Sequence, residues 1–168
     1  MRVERGLILF AGLGSLALLA GALAFQFLGG LAPCSMCIWQ RWPHAAALAA
    51  TALGLAALPR LSALFGAGAM LAGVGLALYH VGVEQRWWAG PATCSAGDIG
   101  GLSAEALFEQ IMTAPIVRCD EVAWDFLAIS MAGWNGLLSL ALAALWLGVL
   151  RRPGRPIRRA QASSSASQ

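Results

Sequence analysis

The chain has 168 residues, 59% of them apolar and only 11% charged, and its net charge of +3 is carried by eleven arginines and no lysine. That length suits one domain. A soluble globule carries about 25% charged residues, so the composition excludes an ordinary cytosolic domain and general disorder, and the long arginine-free stretches exclude a nucleic-acid surface.

The gaps between charges set the expected elements. No charged residue lies between Arg5 and Arg41, Arg41 and Arg60, Arg60 and Glu84, or Asp125 and Arg151. Each gap holds the roughly 20 apolar residues that a helix needs to cross a bilayer. Backbone groups in lipid must pair internally, so these stretches are helices. The expected spans are about 7–28, 42–58, 61–83 and 126–150. The expected class is an all-α integral membrane protein: one membrane domain over 1–150 built as a four-helix bundle.

The first span has a rival. Arg2 and Arg5 before an apolar run that reaches Ala22-Leu23-Ala24 resemble a signal peptide. The uncharged run from Gly6 to Gln40 is far longer than such a segment, which favours a retained helix. Gly12-x-Gly14-x-x-Ala17 imitates a dinucleotide fingerprint, but no acid follows before Glu84 to hold a ribose. Ala17/Gly21 and Ala69/Gly73 are small-xxx-small pairs, expected where helix backbones approach closely.

Two outer loops are expected, at 29–41 and 84–125. The second opens with Gly90-Pro91, Gly97 and Gly100-Gly101. It then runs through Leu102–Thr113, where Leu107, Phe108, Ile111 and Met112 share one helical face. A short helix on the membrane surface, or one packed on the bundle ends, fits that spacing. The tail 151–168 is rich in Arg and then Ser, a composition that favours disorder.

With four spans both termini share a side. That side holds Arg2, Arg5, Arg60, Arg151, Arg152, Arg155, Arg158 and Arg159 against Glu4 alone. The other side holds Arg41, Arg86 and Arg118 against seven acids. The positive-inside rule places both termini in the cytoplasm. Most Trp residues lie near the outer span ends, as an interfacial belt does, with Trp146 near the inner end.

All four cysteines fall in the outer loops: Cys34 and Cys37 as a C-x-x-C pair, and Cys94 and Cys119 25 residues apart. An even count outside the reducing cytoplasm implies disulfides. Cys94–Cys119 alone could be a structural staple. Cys34–Cys37 is a poor one, because closing so short a loop removes little chain entropy, so a redox-exchanging pair is the better reading. A four-cysteine zinc site expects two close pairs and here finds one, so no metal is expected. Haem attachment fails because Ile38 follows Cys37 where His is needed.

Arg41 stands four residues after Cys37, on the same face if a helix begins there. A guanidinium and a helix N-terminus both favour the thiolate; the plainer alternative for Arg41 is an interfacial anchor. Pro43 unsettles that register, since helices tolerate Pro in the first turn only. Two thiol pairs need a final acceptor, and a lipid-soluble quinone is the economical one for a chain without haem or nucleotide motifs. His80 near the outer end of span three could bond a quinone carbonyl, or equally a backbone carbonyl or water. His44 is a weaker candidate of the same kind.

Pro33-Cys34-Ser35-Met36-Cys37-Ile38-Trp39-Gln40-Arg41, the two loop cysteines, and Trp124-Asp125-Phe126-Leu127 together resemble the bacterial disulfide bond formation protein B family. This resemblance covers most of residues 7–150. It implies a quinone-linked oxidase in the inner membrane that regenerates a periplasmic DsbA-like thioredoxin-fold protein, using ubiquinone or menaquinone. It implies that Cys94 forms the mixed disulfide with the partner and that Cys119 then bonds to Cys34. Cys37 is thereby left as a thiolate facing the quinone, stabilised by Arg41. His80 resembles a family His near the quinone, at a shifted spacing to Cys94. A vitamin K epoxide reductase-like enzyme is the alternative within redox chemistry, although its loop pair precedes the C-x-x-C. A membrane scaffold with structural disulfides is the alternative outside it.

Overall fold

The computed structural model describes residues 2–92, 94–95, 103–113 and 117–151. Gly97, Asp98, Gly100, Gly101, Leu102 and the Arg/Ser-rich tail beyond Arg151 lie outside the described residues. Four long helices are present: α1 Arg2–Phe27, α2 Ser35–Ala56, α3 Pro59–Glu84 and, after a short α4 Ala104–Thr113, α5 Met131–Leu150. A two-residue hairpin, β1 Asp125–Phe126 and β2 Ile129–Ser130, precedes α5.

The chain chemistry explains the ends. Cys34 caps α2, its sulfur accepting from the Cys37 N–H at 3.2 Å. Pro59 begins α3, where its missing N–H costs nothing. Ser130 caps α5, its hydroxyl accepting from the Gly133 N–H at 3.2 Å. Leu127 and Ala128 both take positive φ, 53° and 59°, which is the backbone of a tight two-residue hairpin turn. That turn usually carries Asn-Gly, so the sequence shows no sign of it, and the expected start of span four at 126 moves to Met131.

The second span also shifts. Expected over 42–58, its helix starts at Ser35 and runs straight through Pro43. Gly73 of α3 lies opposite: a Cβ there would sit 3.3 Å from Pro43 Cβ, so the glycine makes room for the ring. Residues 35–41, ahead of the expected start at Trp42, are the first turns of this helix.

The helices close into a ring in the order α1, α2, α3, α5, with α1 diagonal to α3. Helices α1, α3 and α5 are long and apolar enough to cross a membrane. α2 carries Gln40, Arg41 and His44 in its first turns and is not among them. The half of the bundle away from the cysteines, called the inner half, is an apolar core around Ile8, Ala47, Met70, Leu142 and Trp146. Ile8 and Ala11 of α1 are fully buried in it.

Two packing expectations change. A Cβ on Gly66 would collide with the Trp146 indole, so close approach occurs there, and Trp146 is a core residue rather than an interfacial one. Gly21, by contrast, would have nothing within 4 Å of an added Cβ, and Ala17 is exposed toward the same space. The Ala17/Gly21 pair leaves a void instead of joining two helices. On α4, Phe108, Ile111 and Met112 stay 64–69% exposed. That face is not packed on the bundle, which suits a membrane surface.

Candidate redox site

The four cysteines meet at the other end of the bundle, called the outer end, where α2 starts and α3 stops. Cys94 and Cys119 are joined in a disulfide. Both are buried in one cluster with Cys34, Met36 and Val83, with Cys37 packed against it. Cys34 and Cys37 are free thiols with their sulfurs 2.8 Å apart. Four sulfurs thus share one buried patch drawn from α2 and the second loop.

The pair is electrostatically unequal. Cys34 donates its hydrogen bond to Cys37 and is buried, so its thiol is pushed up and keeps its proton. Cys37 is lowered to about 7, first by that hydrogen bond, then by its contact with the α2 N-terminus, and to a smaller extent by Arg41. The N-cap thiol and helix end therefore do most of what was expected of Arg41. Arg41 Nε itself is buried and has no hydrogen-bond partner among the described residues.

His80 is buried beneath the pair. Its Nε2 lies 3.7 Å from Cys34 Sγ and 3.9 Å from Glu84 Oε1, and its ring also meets the Cys119 backbone carbonyl. Its Nδ1 lies 2.7 Å from the Gln40 amide. Gln40 accepts in turn from Asn135 at 2.7 Å, and Asn135 faces His44 Nε2 at 2.9 Å. Ser130 of the hairpin donates to Glu84 Oε2. A polar chain thus crosses the ring from α2 to α5 and back to α3. Buried polar groups cost least when they are partnered; His44 Nδ1 is buried with no hydrogen-bond partner among the described residues.

Gln40, Glu84 and Asn135 join the candidate site; the sequence patterns single out neither Glu84 nor Asn135, and Gln40 only within the motif that ends at Arg41. A signal for two of them exists: Asn135 is the one amide within the uncharged run of the last span, and Glu84 closes the third. In the second loop, Arg118 binds Asp120 at 2.6 Å and Glu121 at 3.2 Å, and its guanidinium holds the Asp120 carboxyl below the usual range.

A cavity of about 420 Å³ opens beside the pair. Cys34, Cys37, Arg41 and His80 line its polar end, and Ala17 and Gly21 of α1 leave the space that makes its apolar wall. Such a volume suits a small organic ligand. The fit to a quinone head is chemical: apolar walls for the ring and tail, and a partnerless buried Arg41 Nε–H for a carbonyl oxygen. Phe25, Trp124, Phe126 and Trp134 form an aromatic row nearby, with successive centroids 5.1, 6.2 and 6.3 Å apart.

A multi-pass helical membrane protein with a free C-x-x-C pair buried against a second, bonded pair belongs to the class that makes protein disulfides. The family model "Disulfide bond formation protein DsbB" matches residues 4–149. Proteins named Disulfide bond formation protein B are similar over most of their length. That of Polaromonas sp. is 30% identical, over 91% of this chain and 94% of the relative. That of Albidiferax ferrireducens is 33% identical, over 88% and 91%. That of Xanthomonas euvesicatoria is 32% identical, over 88% and 92%. The chain belongs to the DsbB family.

Proposed function

We propose that this protein reoxidises a periplasmic DsbA-like thioredoxin-fold partner and passes the two electrons to ubiquinone or menaquinone in the inner membrane. The observation that carries this is the gathering of both cysteine pairs in one buried patch that borders an apolar cavity beside Arg41.

A partner thiolate attacks Cys94 Sγ, and Cys119 leaves as a thiolate. Cys119 attacks Cys34 of an oxidised Cys34–Cys37 pair, and Cys37 leaves as a thiolate. The partner's second thiol displaces Cys94, and Cys94 recloses onto Cys119, releasing Cys34. The sum is a partner disulfide formed and the Cys34–Cys37 pair reduced. Cys37 suits the leaving role because the Cys34 backbone at the start of α2 and the Arg41 guanidinium both favour its thiolate. His80, near Cys34 Sγ, is placed to donate to that sulfur. Arg41 would bind a quinone oxygen, which its buried, unpartnered Nε supports. When bound, the quinone accepts two electrons and two protons.

Both termini are assigned to the cytoplasm, with α2 as the fourth span and the cysteines periplasmic. The support is the arginine asymmetry: Arg2, Arg5, Arg60 and Arg151 all sit at the end opposite the cysteines. Family membership replaces the vitamin K epoxide reductase-like alternative.

The test is anaerobic mixing of the purified protein, a reduced DsbA-like protein and a short-chain quinone. Quinone absorbance should fall in step with partner oxidation. No quinone loss while the partner stays reduced would overturn the reading.

A further inference from the structure

The geometry points to a second use of the reduced C-x-x-C pair: capture of one thiophilic divalent cation, of the Zn²⁺ class, by Cys34 Sγ, Cys37 Sγ, His80 Nε2 and Glu84 Oε1. Three of these atoms, the two sulfurs and a His80 ring nitrogen, already lie within 4.8 Å of one another; Glu84 Oε1 lies outside that set, near His80, and has to swing toward the sulfurs to complete it. A tetrahedral ion with metal–sulfur bonds of about 2.3 Å and metal–nitrogen bonds of about 2.0 Å sets its ligands roughly 3.3–3.8 Å apart. Cys34 Sγ and His80 Nε2 are at that spacing, 3.7 Å, and His80 Nε2 and Glu84 Oε1 are close to it, 3.9 Å. The two sulfurs, at 2.8 Å, need to part by about 1 Å.

The surroundings are those of a ligand set. Ser130 holds Glu84 by Oε2 and leaves Oε1 turned toward His80. Gln40 fixes the His80 ring by its other nitrogen, the outer contact that orients metal-bound imidazoles. Metal on Nε2 requires Nδ1–H to donate to Gln40 Oε1. The Gln40 and Asn135 amides can turn over together to allow this, because His44 Nε2 accepts from Asn135 as readily as it donates. The contact of His80 with the Cys119 carbonyl is given up in exchange.

Binding moves no electrons: Zn²⁺ + 2 RSH → Zn(SR)₂ + 2 H⁺. A disulfide offers no such ligands, so only the reduced pair binds. A pair held this way cannot close into a disulfide, and the site therefore acts as a brake on the reduced enzyme. The inference does not depend on the electron route proposed above, only on a reducible Cys34–Cys37 pair. A search for four cysteine ligands in the sequence misses this site because His80 and Glu84 lie far from the pair in the chain.

The full chain in detergent, reduced and freed of reductant under anaerobic conditions, is titrated with Co²⁺ as the spectroscopic probe. The expected result is one equivalent bound, with thiolate-to-cobalt charge-transfer and tetrahedral d–d bands that Zn²⁺ abolishes. The double variant Cys94→Ala/Cys119→Ala should keep these bands, and air-oxidised protein should lack them. Gln40→Leu, which leaves all four ligands in place, should weaken binding about 10–100-fold, and His80→Ala at least as much. Bands that need Cys94 and Cys119, that persist in oxidised protein, or that are unchanged in both Gln40→Leu and His80→Ala would overturn the site. So would the absence of any charge-transfer band at one equivalent.

Discussion

The two ends of this bundle are built on opposite rules. At the inner end, apolar side chains form the buried core, and Gly66 is small so that Trp146 can press against its backbone. At the outer end, Gly21 is small so that nothing presses there, and the space becomes a cavity wall. Polar side chains follow the same division. His44, Gln40, Asn135, His80 and Glu84 all sit in the outer half, strung together around the cysteines. The inner end holds the helices together, and the outer end tolerates costly polar burial because chemistry needs it there.

Substitutions at the two ends should separate accordingly. The largest effect is expected from Cys34→Ala, which should reduce partner-coupled quinone reduction to background while the helical circular dichroism signal stays. Residual turnover above that of a cysteine-free variant would show that the C-x-x-C pair is dispensable. Arg41→Ala should raise the apparent quinone KM about 10–100-fold, since a hydrogen bond from a charged group is worth about 1.5–3 kcal/mol. Trapping of the partner on Cys94 should be unaffected. Gly66→Ala, at the other end, should destabilise the fold by about 1–3 kcal/mol through overpacking against Trp146. Thermal unfolding of the detergent-solubilised protein would register that loss, with kcat unchanged below the transition.

A smaller effect concerns pH. Cys37 ionises near 7, so its alkylation in the reduced protein should rise with pH through a midpoint near 7 and fall away below it. Cys34→Ala removes the first cause of the lowering, so the midpoint should move upward, toward the ordinary thiol value near 8.5. An unchanged midpoint would assign the lowering to the helix end and Arg41 alone. The smallest effect on turnover is expected from Asn135→Leu, which leaves Gln40 and His44 each short of a partner; its cost falls on stability, about 1–3 kcal/mol. Much of that loss should return in the double variant His44→Phe/Asn135→Leu, which removes one of the stranded groups.

Charge gaps place the helices to within a few residues where nothing else competes, as with α1 and α3. They fail where a local cap overrides them. Cys34 starts α2 seven residues before the apolar run does, and a turn with two non-glycine residues at positive φ starts α5 five residues late. Cysteine count and spacing lead to the redox patch. The polar chain beneath it is harder to see, because Gln40, His80 and Asn135 come from three helices and meet only after packing. The Ala17/Gly21 pair misleads for the same reason: sequence shows that a residue is small, whereas only the neighbours decide whether that smallness admits a helix or a ligand.

The concealment of the Cys94–Cys119 bond has one further result. Cys94 is 1% exposed and Cys119 is fully covered, so a diffusing thiol has no line of approach to either sulfur. Small reductants such as glutathione would be turned away by shape alone. On the proposed route a partner protein has to displace the cover of Cys94 before its thiolate can attack, so selection of the electron donor would precede the chemistry.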